Sequence, residues 1–199
     1  EKPLVLDHTQ LSKLKKLELK FNARVFSILQ LRLHQEITRL KEKINVKKGK
    51  INAELTYITS RGKWYMASWK GDQKRSGGLL MNIGVHFFDM LIYLFGNVKN
   101  IDVSYNIKDK AKGKFCLEHA DIDWFLSCDE NDLPENFIDG DKKTYRSIKI
   151  GETEVEFSSG FDDLHKVSYE EILNGNGFGI DDCRETLRAV NEVMSFNRI

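Results

Sequence analysis

The chain has 199 residues, 41% hydrophobic and 31% charged, with a formal net charge of +1, which is enough apolar material for an ordinary core and too even a balance to point to nucleic acid or an anionic membrane. No apolar run reaches bilayer length without a charge or a glycine, and Glu1-Lys2-Pro3 is no signal segment, so a cytoplasmic protein is expected. Cys116, Cys128 and Cys183 are widely spaced, with no Cys-x-x-Cys pair and no histidine at ligand spacing, which predicts buried free thiols and no zinc site.

From Asp7 or Thr9 to Phe21, Leu11, Leu14, Leu17 and Leu19 interleave with lysines as in an amphipathic helix with a polar cap. Asn22-Ala23 reads as a turn, and Arg24 to Arg32 (RVFSILQLR) as a buried strand. Helix plus strand behind an opening without Met predicts the last unit of a βαβ array whose earlier units lie upstream. A second amphipathic helix follows from His34 to Asn45, with Leu33, Ile37, Leu40 and Ile44 on one face, and its lysines with Lys47, Lys48 and Lys50 read as a solvated face. Ile51 to Thr59 alternates as a half-buried strand does.

Ser60 to Arg75 mixes Trp64, Tyr65 and Trp69 with five cations and reads as a ligand-contact loop, with Lys74 and Arg75 as easily a solvated turn. The next stretch, Ser76 to Gly96, organises the chain. It is the longest apolar run, punctuated by Gly77-Gly78 and Gly96 with Ser76 a possible cap, and at about 100° per residue Asn82, His86, Asp89 and Tyr93 fall on one line of a helix otherwise apolar. A buried polar line needs partners or a cavity.

Beyond it, Val98 to Ile107 reads as a strand, with a polar turn through Gly113, then strands Lys114 to Glu118 and Asp121 to Cys128, a loop from Asp129 to Asp141, a hairpin of Tyr145 to Ile150 and Glu152 to Phe157 turning at Gly151, a short helix Tyr169 to Asn174, and a last helix Ile180 to Phe196 with Cys183, Leu187, Val190 and Met194 inward. Gly175-Asn176-Gly177-Phe178-Gly179 lacks dinucleotide-motif spacing, though it could offer N–H groups to an anion at the last helix. The fold class expected is α+β: an open-faced, mainly antiparallel sheet with helices on one face, preceded by the last helix-strand unit of a Rossmann domain.

Glu1-Lys2-Pro3, then Gln30-Leu31-Arg32-Leu33-His34, then Ser76-Gly77-Gly78 leading into Asn82-x-Gly84-x-His86-x-x-Asp89, resemble the Gfo/Idh/MocA family of nicotinamide-dependent sugar oxidoreductases over essentially the whole chain. Tyr57 to Tyr65, Ser68-Trp69-Lys70-Gly71-Asp72 and Trp124-Phe125-Leu126-Ser127 are similar to the bacterial branch that oxidises the 3-hydroxyl of UDP-N-acetylglucosaminuronic acid on the way to surface polysaccharide such as O-antigen. The resemblance implies that residues 1–33 are the end of a dinucleotide-binding domain and 34–199 a substrate-binding and oligomerisation domain, the last helix packing back toward the former. It implies His86 as acid/base with Lys2 and Asn82 beside it, Glu1, Lys2 and Pro3 at the NAD (or NADP), and no metal. Where the wider family commonly has Asp, this chain has Asn82, which can orient the ring or substrate but not hold an imidazolium by charge.

The chemistry agrees: oxidising a secondary alcohol needs a base for the hydroxyl proton and a donor for the developing alkoxide. A UDP-linked uronate brings charges that call for Arg61 and Lys70, with Tyr65, Trp69 and Asp89 completing the substrate contacts. A homo-oligomer, dimer or tetramer, is expected through the sheet, its free face lined by Leu55, Tyr57, Val103, Tyr105, Trp124 and Leu126. Other readings are a non-catalytic binding or oligomerisation module, a dehydrogenase of another sugar or cyclitol, and a hydrolase with a metal on His86, Asp89 and His34 or His119.

Overall fold

The computed structural model describes residues 1–44, 49–138 and 143–196. Asp7 caps a short 3₁₀ turn that runs into helix α1 (Leu11–Phe21), which seals Leu11 completely and stops where Asn22 turns left-handed at φ 47°. Arg24 to Leu29 then forms no regular element, and the expected strand is missing there. A strand exists only where a neighbouring backbone pairs with it, and here Ser27 N–H reaches the lone Phe178 carbonyl at 2.9 Å. A 3₁₀ turn, Gln30–Leu33, leads into α2 (Gln35–Ile44), which buries Ile37, Leu40 and Ile44. Asn45, Lys47 and Lys48 lie outside the described residues.

Strand β1 (Ile51–Thr59) alternates as expected. The aromatic segment after it is three short helical turns instead of an open loop: α3 (Gly62–Ala67), a 3₁₀ turn at Trp69–Gly71 and α4 (Gln73–Ser76), the last two capped by Ser68 and Asp72. Gly77 permits the turn that follows, at φ 74° and with Met81 only 2.3 Å from where a Cβ would stand. The central helix then makes one π turn, Leu80–Gly84, before α5 (Val85–Phe95) ends on Gly96. By length and composition Gln73–Phe95 could cross a membrane, yet most of it is buried inside the fold as a core helix.

Strands β2 (Val98–Asn106), β3 (Lys110–Leu117) and β4 (Ala120–Ser127), the short helix α6 (Glu135–Ile138), strands β5 (Thr144–Ile150) and β6 (Thr153–Glu156), then α7 (Leu164–Leu173) and α8 (Ile180–Ser195) complete the described elements. The sheet order is β2-β3-β4-β1-β5-β6, antiparallel throughout except for the parallel pair β1 and β4. Gly113 is inside β3 and not in a turn: a Cβ there would come within 2.4 Å of the Asp102 carbonyl and 2.6 Å of the Trp124 ring.

One face of the sheet packs under α5 and α8, where Phe88, Phe115 and Trp124 meet edge to face or tilted and Tyr57 lies on Phe87. Leu55, Tyr57, Val103, Trp124 and Leu126 all point into this core, each 4% exposed or less. The expectation that they would form an apolar outer face is therefore reversed; only Tyr105 is half-exposed. The outer face is polar, and the register runs Asp102, Lys114, Asp123, Glu54, Lys149 and Glu154 across all six strands. Of the cysteines, Cys128 and Cys183 are buried and Cys116 half-buried, all free.

Candidate active site

The polar line of the central helix is divided between two tasks, because the 3₁₀ turn at 30–33 lies across it. On the Asp89 side, the Arg32 guanidinium grips both carboxylate oxygens of Asp89 at 2.7 and 2.9 Å, Thr186 adds a bond at 3.1 Å, and Asp182 meets Arg32 at 3.3 Å. Burial pulls Arg32 down, but Asp89 and Asp182 more than offset it, so the guanidinium is held firmly charged. Burial pushes the Asp89 carboxyl up while Arg32 and Thr186 hold it back. Asp89 is 1% exposed, so the structure places it in this ion pair and not on the wall of the neighbouring cavity, where the expected substrate contact would need it. Tyr93 stacks here too, with Arg32 at 5.3 Å and Lys41 at 3.2 Å from its ring.

On the other side of the turn, Asn82 and His86 open into a cavity of about 260 Å³ that also takes in Lys2, Arg61, Lys70 and Arg146, with Leu31, Ile83, Phe87 and Phe161 among its apolar walls. At roughly 30 Å³ per water, it has room for a sugar-sized group. Four cations border it and no carboxylate does. None of the four forms an ion pair among the described residues. Burial, with the charges of Lys2 and Arg146, drives His86 well below its usual value, so the imidazole is neutral at physiological pH. Burial, only partly opposed by Glu1 and reinforced by Lys70 and Arg61, brings the Lys2 ammonium down to about 8.

The π turn and its N-terminal punctuation position these groups. Ser76 Oγ accepts the Gly78 N–H at 3.0 Å, but Ser76 is the last residue of α4 and not the cap of the central helix that was expected. The Asn82 amide donates to the carbonyls of Gly78 (2.7 Å) and Lys70 (3.1 Å) and to Ser76 Oγ (2.9 Å), while its own main-chain carbonyl accepts from Lys2 Nζ. Asn82 therefore ties the Lys70 turn and Lys2 to the helix and does not orient the His86 ring. A π turn inserted at such a point re-aims side chains where function needs it.

The cavity gathers Lys2, Asn82, His86, Arg61 and Lys70 among the residues singled out from sequence. It leaves out others. Tyr65 is 4% exposed, turned inward by α3, its hydroxyl pushed up to about 12 by burial. Trp69 is 54% exposed and does not border the cavity, so neither aromatic is in place to stack on a ligand there. Glu1 is exposed, within 3.9 Å of His165, and Pro3 follows Lys2 through a cis peptide; neither lines the cavity. His34 is occupied structurally, its Nε2 on the Ser159 carbonyl at 2.8 Å and its Nδ1 accepting the Glu36 N–H at 3.2 Å. Among the described residues no three His, Cys, Asp or Glu side chains stand together as metal ligands. At the last helix, Asp182 takes the Gly179 N–H at 2.7 Å, which fills the place suggested for an anion. Arg146 was missed: it stands in a strand some fifty residues after the helix, and only the pairing of β5 with β1, which sets it opposite Tyr57, brings it to the site.

Residues 47–128 match the model described as the oxidoreductase family, C-terminal alpha/beta domain, of Gfo/Idh/MocA proteins. Among solved structures, the WlbA (WbpB) dehydrogenase from Thermus thermophilus in complex with NAD and UDP-GlcNAcA is 44% identical, over 97% of this chain and 62% of that one, with a TM-score of 0.93. The same dehydrogenase with NAD and alpha-ketoglutarate aligns at 43% identity over 100% and 64%, with a TM-score of 0.95. The WlbA dehydrogenase from Bordetella pertussis with NADH and UDP-GlcNAcA shares the fold at 19% identity, over 99% and 70%, with a TM-score of 0.76. The chain thus spans a little under two thirds of the length of the Thermus structures.

Proposed function

We propose that the chain belongs to the Gfo/Idh/MocA oxidoreductase family, whose C-terminal domain it matches over residues 47–128, and that it is the substrate-side part of a nicotinamide-dependent dehydrogenase oxidising the 3-hydroxyl of a UDP-linked N-acetyl-hexuronic acid. The observation that carries this reading is the cavity in which a neutral histidine is ringed by Lys2, Arg61, Lys70 and Arg146 with no carboxylate to balance them. Unbalanced cations in a half-buried cleft are costly unless an anionic ligand completes them, and a pyrophosphate plus a sugar carboxylate is such a ligand.

In this reading His86, neutral because burial and its cationic neighbours disfavour the imidazolium, takes the proton of the reacting hydroxyl. Lys2 donates to the oxygen as negative charge develops on it. Asn82 keeps Lys2 and the Lys70 turn in register with the helix. Leu31, Ile83 and Phe87 give the cavity an apolar wall beside Lys2 and His86, a surface that suits a flat nicotinamide ring. When bound there beside Glu1, Lys2 and Pro3, NAD or NADP supplies the hydride acceptor. No Gly-x-Gly-x-x-Gly stretch occurs in these 199 residues, and we assign the rest of the cofactor to a Rossmann domain of which residues 1–33 are the end. We place the enzyme in the cytoplasm, in surface polysaccharide synthesis such as that of O-antigen, assembled as a dimer or tetramer through the outer face of the sheet, with polar contacts in place of the apolar ones expected.

The test is turnover by the complete polypeptide with NAD. UDP-N-acetylglucosaminuronic acid should be oxidised with reduction of the nicotinamide, and the free sugar acid without nucleotide should not. Equal turnover of a neutral, nucleotide-free sugar or a cyclitol would refute the substrate.

A further inference from the structure

We propose that Arg146 reads the carboxylate of the sugar acid and so sets the preference for a uronic acid over its neutral parent; this rests on the substrate reading above and asks which cation does which task.

The guanidinium of Arg146 is built as a fixed fork. Its carbon lies 4.2 Å from the centre of the Phe161 ring and 5.5 Å from that of Tyr57. Nη1 donates to the Ser158 carbonyl at 3.1 Å, and the Arg146 main-chain N–H reaches Ser158 Oγ at 2.9 Å. The side chain is thus held by stacking and by one anchored nitrogen, and no carboxylate among the described residues pairs with the rest of the fork. A planar, pre-oriented guanidinium matches a carboxylate in two parallel bonds, which a flexible ammonium cannot do.

Placement separates the four cations. Lys2 is committed to Asn82 and to the reacting oxygen. Arg61 and Lys70 come from the short helical turns that begin at the end of β1, and their charges bear on Lys2. Arg146 comes from β5, opposite Tyr57, whose ring lies 4.6 Å from that of Phe87, the residue next to His86, and its charge, like that of Lys2, bears on the His86 ring. In a pyranuronic acid the carboxylate hangs from C5 and the pyrophosphate from C1, each two ring atoms from the reacting C3 but on opposite sides of it, and the pyrophosphate leads on toward the nucleoside, so the two anions need cations from different walls. With C3 at His86, the carboxylate must lie within one sugar ring of the base, against a cation on the histidine wall. Arg146 meets that condition, and Arg61 with Lys70 is left for the phosphates.

The test compares kcat/KM of the complete polypeptide, with NAD, for UDP-N-acetylglucosaminuronic acid and UDP-N-acetylglucosamine, in the wild type, Arg146→Gln and Arg146→Lys. Thermal melts and calorimetric affinity for UDP serve as controls on folding. The wild type should prefer the acid. Arg146→Gln should lose about ten- to a hundredfold on the acid, the range for a hydrogen bond between charged groups, and little on the neutral sugar, so that the preference collapses. Arg146→Lys should fall between. If both sugars lose equally and the preference survives, Arg146 is a packing residue and the proposal is overturned. If the wild type itself shows no preference for the acid, the substrate reading fails, and that failure is seen without any variant.

Discussion

His86 and Asp89 stand three residues apart on one helix and inhabit opposite electrostatic regimes. Asp89 is matched charge for charge by Arg32, with Thr186 and Asp182 filling the remaining bonds. His86 sits among four cations with no carboxylate on the cavity wall. A charge whose partner is built into the chain holds the fold together; a set of like charges left without one is addressed to a ligand. The 3₁₀ turn at Gln30–Leu33 separates the two, facing the cavity with Leu31 and the ion pair with Arg32.

The comparison breaks most visibly at its two centres. His86→Asn should cut kcat by about a hundred- to ten-thousandfold, the usual worth of a positioned general base, with the melting temperature barely changed. Loss of both together would return His86 to the structural side. Arg32→Met should cost about 3–5 kcal/mol in denaturant unfolding, because it leaves Asp89 buried and uncompensated, and Arg32→Met combined with Asp89→Leu should recover a good part of it. A double variant as unstable as the single one would show that the pair does not act as a unit.

Arg61→Ala sharpens the ligand side. It should raise KM for the nucleotide sugar about tenfold or more with kcat little changed, since a phosphate contact is made equally in ground and transition states. A fall in kcat at constant KM would move Arg61 into the chemistry.

Two groups of the cavity side respond to pH in different ranges. Lys2 is lowered to about 8 in the fold from 10.5, so between those values the unfolded chain binds more protons and stability should rise with pH. His86 is lowered below 6.5, so stability should fall as pH drops beneath 6.5, where the unfolded chain alone takes up the proton. Lys2→Met should flatten the alkaline slope and His86→Asn the acid one, both read from urea midpoints across pH.

The smallest effect belongs to the outer face of the sheet. Lys114 and Asp123, 3.4 Å apart and both more than half exposed, should be worth less than about 1 kcal/mol; a larger loss on Lys114→Ala, together with dissociation in sedimentation, would mark this face as a subunit contact.

Periodicity made the central helix, β1, the Gly151 hairpin and the last helix legible, because each buries one face in a repeating pattern along its own residues. What local pattern could not give was the pairing. Arg24 to Leu29 has strand composition and no neighbour to pair with, and Leu55, Tyr57, Trp124 and Leu126 form one apolar face whose direction depends on where α5 and α8 pack. At the candidate site, the family resemblance and the polar line singled out Lys2, Asn82 and His86, which border one cavity. Asp89 looked equivalent to His86 on that line, since nothing near it in sequence reveals that Arg32 folds onto it. Arg146 carried no local signal, and Tyr65 and Trp69 lie off the cavity because aromatic content alone does not say which way a short helix turns.

The most direct measurement is a crystal structure of the complete polypeptide with UDP-N-acetylglucosaminuronic acid bound. The sugar should lie in the cavity with its 3-hydroxyl about 2.6–3.2 Å from a ring nitrogen of His86, the reach of a general base, and its anionic groups on Arg61, Lys70 and Arg146. A ligand bound elsewhere, or one that leaves those cations untouched, would contradict the division of the helix into a paired structural side and an unpaired ligand side.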